Sequence, residues 1–232
     1  MNMRATLLKL LKFTNTYHVA KKIQNKYNLV IGEGHGHSLL LKLLRKKKKF
    51  NIKGLNFLEI GSSRESIFGQ GSTSLIANYC EKNKINFISV DADSKNVKKN
   101  KKNMKKFKYF NIIKETGENF SKKNKVKFDV IYLDAFDIET SNPPSVERVK
   151  FYKDKFNKKI TNTTSAKMHC EVIISLLNNL SEDCLIVFDD TFIVNKKILG
   201  KGKTAIPILL ENKFSIINKN KNSVALERSL NE

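Results

Sequence analysis

Six acidic residues and one histidine carry most of the chemistry this chain can offer. Glu59, Asp91, Asp134, Asp189 and Asp190 close short apolar runs, and Glu118 follows another such run. A carboxylate at the end of a second parallel strand can accept both hydroxyls of a ribose, and Asp91 in SVDAD is placed for that, with Asp93 as the alternative helix cap. Asp134, Asp189 and Asp190 would converge from two neighbouring run ends. Carboxylates that close repel unless a cation lies between them, and oxygen donors alone select Mg²⁺ or Ca²⁺ over Zn²⁺. His169, in TSAKMHCEV, is the candidate base: a neutral imidazole near a helix start could take a hydroxyl proton or complete a metal shell. His35 and His37, in GEGHGHS, are second candidates from the N-terminal portion.

Between the first two acids lies a loop of unusual composition, LEIGSSRESIFGQGSTSL (58–75). Glycines at 61, 69 and 71 permit tight turning and close approach to a ligand. The loop lacks the Lys-Ser/Thr that grips a β-phosphate. GKGKT (200–204) does not replace it, because Lys197 stands where that motif requires its first glycine. The compact G-x-G-x-x-G is absent as well. A ligand without phosphates, needing glycine for approach and carboxylates for its hydroxyls, fits this set best.

The elements that must hold these residues follow from the apolar pattern. LNFLEI (55–60), NFISVD (86–91), YFNIIK (109–114), FDVIYLD (128–134) and CLIVFDD (184–190) read as strands. Helix-compatible segments near 73–84, 94–105, 117–123 and 169–180 separate them, so the strands are joined by crossovers and form a parallel sheet with helices on both faces. A helix over 203–212 precedes FSIINKN (214–220) and SVALER (223–228), two strands joined by a polar turn. Residues 3–28 carry leucines at helical spacing and predict basic amphipathic helices, followed by another short helix at LLLKLLRKKKKF. The chain divides into an N-terminal helical cap (1–54) and a main domain (55–232). The stretch from 135 to about 165, which includes Arg148, is the one long irregular connection and is expected to act as a lid over the acceptor.

Composition narrows the class without naming a function. The formal charge is +22, with 44 basic residues against 22 acidic. The basic residues are overwhelmingly lysine, in runs such as KNVKKNKKNMKKFK, which favours solvated faces over the arginine-rich contacts of nucleic-acid recognition. Cys80, Cys170 and Cys184 have no metal-ligand spacing and read as buried thiols of a reducing compartment. No run approaches the length of a transmembrane segment, and MNMRATLLKLLKF is a poor signal peptide, so a cytoplasmic location is expected.

Five parallel strands finished by a β-hairpin, with Gly61, Asp91, Glu118 and Asp134 at their spacing, resemble the class I S-adenosylmethionine-dependent methyltransferases. The resemblance runs from about residue 55 to 228. It implies a three-layer Rossmann-like sheet, mostly parallel with a C-terminal antiparallel hairpin. It implies that Glu59, Gly61, Ser62, Ser63, Gly71, Ser72 and Thr73 surround the methionine part of the cofactor. Asp91 and Ala92 would lie at the ribose and Glu118 at the adenine, and Asp134 would both contact the cofactor and serve in catalysis with His169. The acids at 134, 189 and 190 look like the divalent-ion site of metal-dependent small-molecule O-methyltransferases, with Asp190 where that family often has Asn. The lysine those enzymes carry after the first metal acid is missing from Asp134-Ala135-Phe136-Asp137, which leaves His169 as the base. Stretches around Gln70-Gly71-Ser72-Thr73, Met168-His169, Phe188-Asp189-Asp190-Thr191 and Gly200-Lys201-Gly202 also resemble a group of bacterial and phage methyltransferases. Asn142-Pro143-Pro144 is similar to the motif of adenine-N-methylating enzymes but is displaced from the strand end and followed by Ser145, so it reads as loop punctuation. The expected acceptor is a small molecule or saccharide, with nucleic acid as the alternative.

Overall fold

The computed structural model describes residues 35–46, 54–64, 71–139 and 144–228. The helices expected over 3–28, the centre of the glycine-rich loop (65–70) and Asn142-Pro143 lie outside the described residues. The chain order is α1 (Gly36–Lys46), β1 (Asn56–Ile60), α2 (Ser72–Asn83), β2 (Asn86–Asp91), α3 (Ser94–Asn103), β3 (Phe110–Lys114), α4 (Gly117–Lys123), β4 (Phe128–Leu133), α5 (Val146–Phe156), α6 (Asn162–Leu176), β5 (Leu180–Phe188), β6 (Thr191–Val194), β7 (Lys197–Gly200), α7 (Ala205–Glu211), β8 (Phe214–Lys219) and β9 (Val224–Arg228).

Seven strands form one sheet in the order β3-β2-β1-β4-β5-β9-β8, and β6 pairs with β7 in a separate two-stranded sheet. Strands β1 to β5 run parallel, while β9 is antiparallel to both β5 and β8. Parallel strands covered on both faces must be apolar on both, and they are. On one face Leu58, Ile60, Ile131, Leu133, Ile186 and Phe188 pack with Met168, Val172 and Ile173 of α6 and with Ala205, Ile206 and Leu209 of α7. On the other, Phe57, Val130, Tyr132, Leu185 and Val187 meet Ile76, Ala77 and Cys80 of α2 and the leucine stripe of α1, Leu39, Leu40, Leu43 and Leu44. Within the expected cap, then, α1 belongs to the same core as the sheet.

Three elements differ from the sequence expectation. Helix α5 occupies part of the stretch read as irregular, starting at Ser145, whose hydroxyl accepts from Arg148 N. Only Tyr152 of that helix is buried, so its apolar periodicity is faint. Helix α6 begins at Asn162, earlier than expected, because Thr161 and Thr164 form a reciprocal capping box. The hairpin β6–β7 turns at Asn195-Lys196, both with positive φ (48° and 63°). That left-handed pair suits a tight hairpin without the Asn-Gly signature that marks one in sequence.

Order β3-β2-β1-β4 reverses direction between β1 and β4, and the chain leaves β1 there through Gly61. Gly61 has φ +96°, and a Cβ on it would lie 2.5 Å from both Ala135 N and Ala135 Cα. Gly54 also has positive φ (+84°), but a Cβ added there would meet nothing within 4 Å. Gly54→Ala is expected to cost about 1 kcal/mol and Gly61→Ala more than about 2 kcal/mol of unfolding free energy in urea denaturation. Equal losses would show that the contact with Ala135 carries no weight.

Candidate functional site

The carboxyl ends of β1, β2 and β3 open on one pocket. Its lining includes Ile60 and Gly61 from β1, Asp91 and Ala92 from β2, and Gly117 and Glu118 at the start of α4. Ala135, Phe136, Phe156, Lys158 and Met168 close the other side. The pocket lies at the topological switch point, where open α/β sheets bind ligands.

Side-chain hydrogen bonds fix the two ends of the glycine-rich loop. Asp91 Oδ2 accepts from Ser62 N (3.0 Å), Ser62 Oγ (2.6 Å) and Asn96 Nδ2 (3.3 Å), while its Oδ1 accepts from Asp93 N (2.7 Å). Buried Asn100 donates to Ser62 Oγ and to Ser63 O, both at 3.1 Å. Ser63 N donates to Thr73 Oγ1 (2.7 Å), and Thr73 in turn donates to Glu59 Oε2 (2.8 Å). Glu59 also accepts from Ser89 Oγ (2.5 Å) and, more weakly, from Ser72 Oγ (3.4 Å). Glu59 is thus wholly enclosed, reaching the loop through the hydroxyls of Ser72 and Thr73, next to the helix N-cap Gly71. Burial pushes its carboxyl up to about 8 against the pull of Ser89 and Thr73.

At the start of α4 Glu118 is buried and forms an ion pair with Lys158, whose Nζ also lies 5.7 Å from the centre of the Phe136 ring. A second knot ties the pocket's outer wall. Asp137 accepts from Arg64 Nη2 and Arg148 Nε, both at 2.6 Å, and Arg148 reaches Tyr152 Oη at 3.2 Å. Asp137 therefore joins the start of the glycine-rich loop to helix α5. Burial opposes its charge, yet the two guanidiniums hold its carboxyl below the ordinary range.

The strand ends of β4 and β5 hold the remaining predicted residues, in an arrangement the sequence pattern does not anticipate. Lys201, immediately after β7, places Nζ 2.8 Å from Asp134 Oδ1 and 3.0 Å from Asp190 Oδ2 and is 1% exposed. Burial works against its charge, but Asp134, Asp190 and Asp189 together raise its pKa above the usual lysine value. Asp189 turns the other way, accepting from Tyr132 Oη (2.5 Å), Gly36 N (3.1 Å) and Asp190 N (3.0 Å). Burial, reinforced by Asp134, pushes Asp189 up to about 7. Gly36 stands between His35 and His37, whose rings stack 5.4 Å apart.

This geometry gives the metal expectation no support among the described residues. Asp134, Asp189 and Asp190 do not share a vacant centre, and no group of three His, Cys, Asp or Glu residues among those described could hold an ion. The charge that the three carboxylates demand is supplied by an ammonium from the chain itself. His169 is corrected as an accessible base. It is fully buried in α6, Nδ1 lies 2.8 Å from Ser165 O, and Nε2 has no hydrogen-bond partner among the described residues. The carbonyl requires the proton on Nδ1, so Nε2 is an acceptor. Burial, with the Lys201 charge behind it, lowers His169 to about 3 and keeps the ring neutral. Asp134 and Asp190 both stay partly open, their side chains 29% and 32% exposed.

No family model matches the chain, and no curated protein matches its sequence. Solved structures do match its shape. A proposed rRNA methylase from Clostridium thermocellum superposes with TM-score 0.52 at 13% identity, over 86% of this chain and 99% of its own. A methyltransferase homologue from Pyrococcus horikoshii gives 0.51 at 12% identity, over 77% and 62% of the two chains. A proposed methyltransferase from Streptococcus mutans, solved with S-adenosylhomocysteine, gives 0.50 at 11% identity, over 81% and 96%. The chain has the class I methyltransferase fold. Identities this low establish the architecture alone. In that methyltransferase frame, β6–β7 is an excursion between β5 and α7 that returns Lys201 to the strand ends.

The raised Glu59 has a measurable consequence. The folded chain keeps a proton that the unfolded chain releases above its ordinary value of 4.5, up to about 8. Stability contributed by this group falls as pH rises from about 5 to 8, at up to about 1.4 kcal/mol per pH unit, and then levels off. The unfolding free energy of wild type minus that of Glu59→Gln is expected to decline over this range in urea denaturation. A difference independent of pH would show that Glu59 is ionised in the native state.

Proposed function

We propose that the chain is an S-adenosylmethionine-dependent methyltransferase acting on an oxygen of a small molecule or saccharide. The observation that carries this is the pocket itself. At the switch point of this sheet, a β2-terminal carboxylate, a left-handed glycine after β1 and an acid opening α4 face one cavity. Asp91 would hold the ribose diol, which means exchanging the Ser62 hydroxyl and the Asn96 amide for the two ribose hydroxyls. Glu118 and Lys158 would meet the edge of the adenine, between Phe136 and Phe156. Gly61 lets the chain pass close beneath the ligand, and the tethered Ser62, Ser63, Ser72 and Thr73 would frame its amino-acid end.

The sulfonium of the cofactor makes its methyl electrophilic, so alignment of the acceptor supplies most of the rate. Asp134 is the group we assign to proton removal. The acceptor oxygen would form its bond to the methyl carbon as the sulfur–carbon bond breaks toward sulfur and the hydroxyl proton passes to Asp134. His169, buried and neutral in α6, would take no part in proton removal. Helix α5, anchored by Arg148 and Tyr152, would cover the acceptor.

A nucleic-acid acceptor is the second reading. The observation favouring it is α3 and its continuation, where Lys95, Lys98, Lys101, Lys102, Lys105, Lys106 and Lys108 are exposed with no acid among them. Binding to random oligonucleotides that weakens steeply with salt would support it.

Calorimetry with S-adenosylhomocysteine tests the main reading. The wild type is expected to bind one molecule per chain, and Asp91→Ala to weaken binding roughly 10- to 100-fold through lost hydrogen bonds to a charged acceptor. Absence of heat with the folded wild type would refute the assignment.

A further inference from the structure

The hairpin β6–β7 closes on itself before it reaches Lys201. Thr191 pairs with Gly200, and Lys201 N donates to Asp190 O at 3.1 Å, so Asp190 and Lys201 stand opposite each other at its base. Gly202 N donates to Thr191 Oγ1 (2.9 Å), and Thr191 donates to Asp189 O (3.0 Å). Asp190 itself has φ +43°. Gly200 has φ +81°, and a Cβ there would lie 2.0 Å from Asp190 O, so the return of the chain at this point demands glycine. Every element of the hairpin base therefore fixes one side chain, Lys201, against the ends of β4 and β5.

From this geometry we infer that Lys201 is the resident cation of the acceptor side of the site, standing between the Asp134 and Asp190 carboxylates in place of a divalent ion. The inference rests on the methyltransferase reading for what the site does, but not for where the charge lies. An ammonium at 2.8 and 3.0 Å from two carboxylate oxygens satisfies both electrostatically and leaves no room for a hydrated ion between them. The third acid is engaged elsewhere, which leaves Asp134 and Asp190 as the pair whose charge Lys201 meets. Asp189 directs its oxygens to Tyr132, Gly36 and Asp190 N. Asp134 is held through Oδ1 by Lys201, while its Oδ2 meets, among the described residues, only the distant Tyr132 Oη at 3.4 Å. Lys201 is a positioning residue: it turns one oxygen of Asp134 inward and leaves the other for the acceptor.

Manganese, added to the full chain, is the probe. Wild type is expected to show no bound Mn²⁺ by electron paramagnetic resonance at millimolar ion, and its affinity for S-adenosylhomocysteine is expected to be the same with and without EDTA. Lysine-¹⁵N-labelled wild type is expected to show a hydrogen-bonded, solvent-protected ammonium resonance that Mn²⁺ does not broaden and that Lys201→Ala removes. Lys201→Ala should in turn take up one Mn²⁺ per chain, because its two carboxylates lose their counter-charge. Stoichiometric Mn²⁺ in the wild type overturns the inference, as does a folded Lys201→Ala that takes up none. If that variant does not fold, the Mn²⁺ response of the wild type and of its protected ammonium decides. Failure to bind S-adenosylhomocysteine would defeat the proposed function while leaving the manganese result to judge Lys201 separately.

Discussion

An ammonium enclosed by carboxylates at the tips of two parallel strands sets the conditions under which this site can exist. Removing one partner of a buried ion pair typically costs about 3 to 5 kcal/mol, because the other charge is left uncompensated. Here the count is lopsided, with Asp134, Asp189 and Asp190 around the single Lys201. The surplus is relieved by pushing Asp189 upward and by giving it the Tyr132 hydroxyl and two backbone amides. One of those amides belongs to Gly36, so the helix α1 that covers the sheet is registered against the same charge cluster.

A second constraint binds the loops above the pocket. Glu59, Asp91 and Asp137 each hold a different part of the segment that follows β1: Glu59 through Thr73, Asp91 through Ser62, Asp137 through Arg64. A glycine-rich loop gains freedom to approach a ligand at the cost of its own order. Three carboxyl groups hold the described margins of that loop, Ser62, Arg64 and Thr73, and one of them, Asp91, also lines the pocket. Asp137 also grips Arg148, so the loop and α5 share an anchor, and movement of one is felt by the other.

Much of this was readable in the sequence, for a physical reason. Doubly covered parallel strands must be apolar throughout, so β1 to β5 stood out as runs, and they end at Ile60, Asp91, Lys114, Leu133 and Phe188. The spacing of Gly61, Asp91 and Glu118 along those runs indicated a shared crevice, and the three residues do line one pocket. What escaped lay where the local pattern is weak. Helix α5 buries one side chain, and the turn of β6–β7 uses Asn195-Lys196 in place of glycine. Lys201 stood out within Gly200-Lys201-Gly202, but its role beside the acids was hidden in a chain crowded with lysines. The signal that could have found it was the pair of flanking glycines together with three carboxylates in need of a cation. Weighed alone, those acids call for a metal; which internal base can reach them depends on how β6–β7 folds back.

The doubly secured base of β6–β7 has a consequence for how such a chain can diversify. Because Asp190 and Lys201 are locked to each other by both backbone and side chain, the tip of the hairpin around Asn195-Lys196 is set apart from the charge its base delivers, while Ile193 and Ile198 pack against the main core. At that tip, with Val194 exposed, the chain can lengthen or change composition without touching the residues at the root. It is a grafting point, where new contacts can be tried on the rim of the molecule while the interior chemistry stays constant.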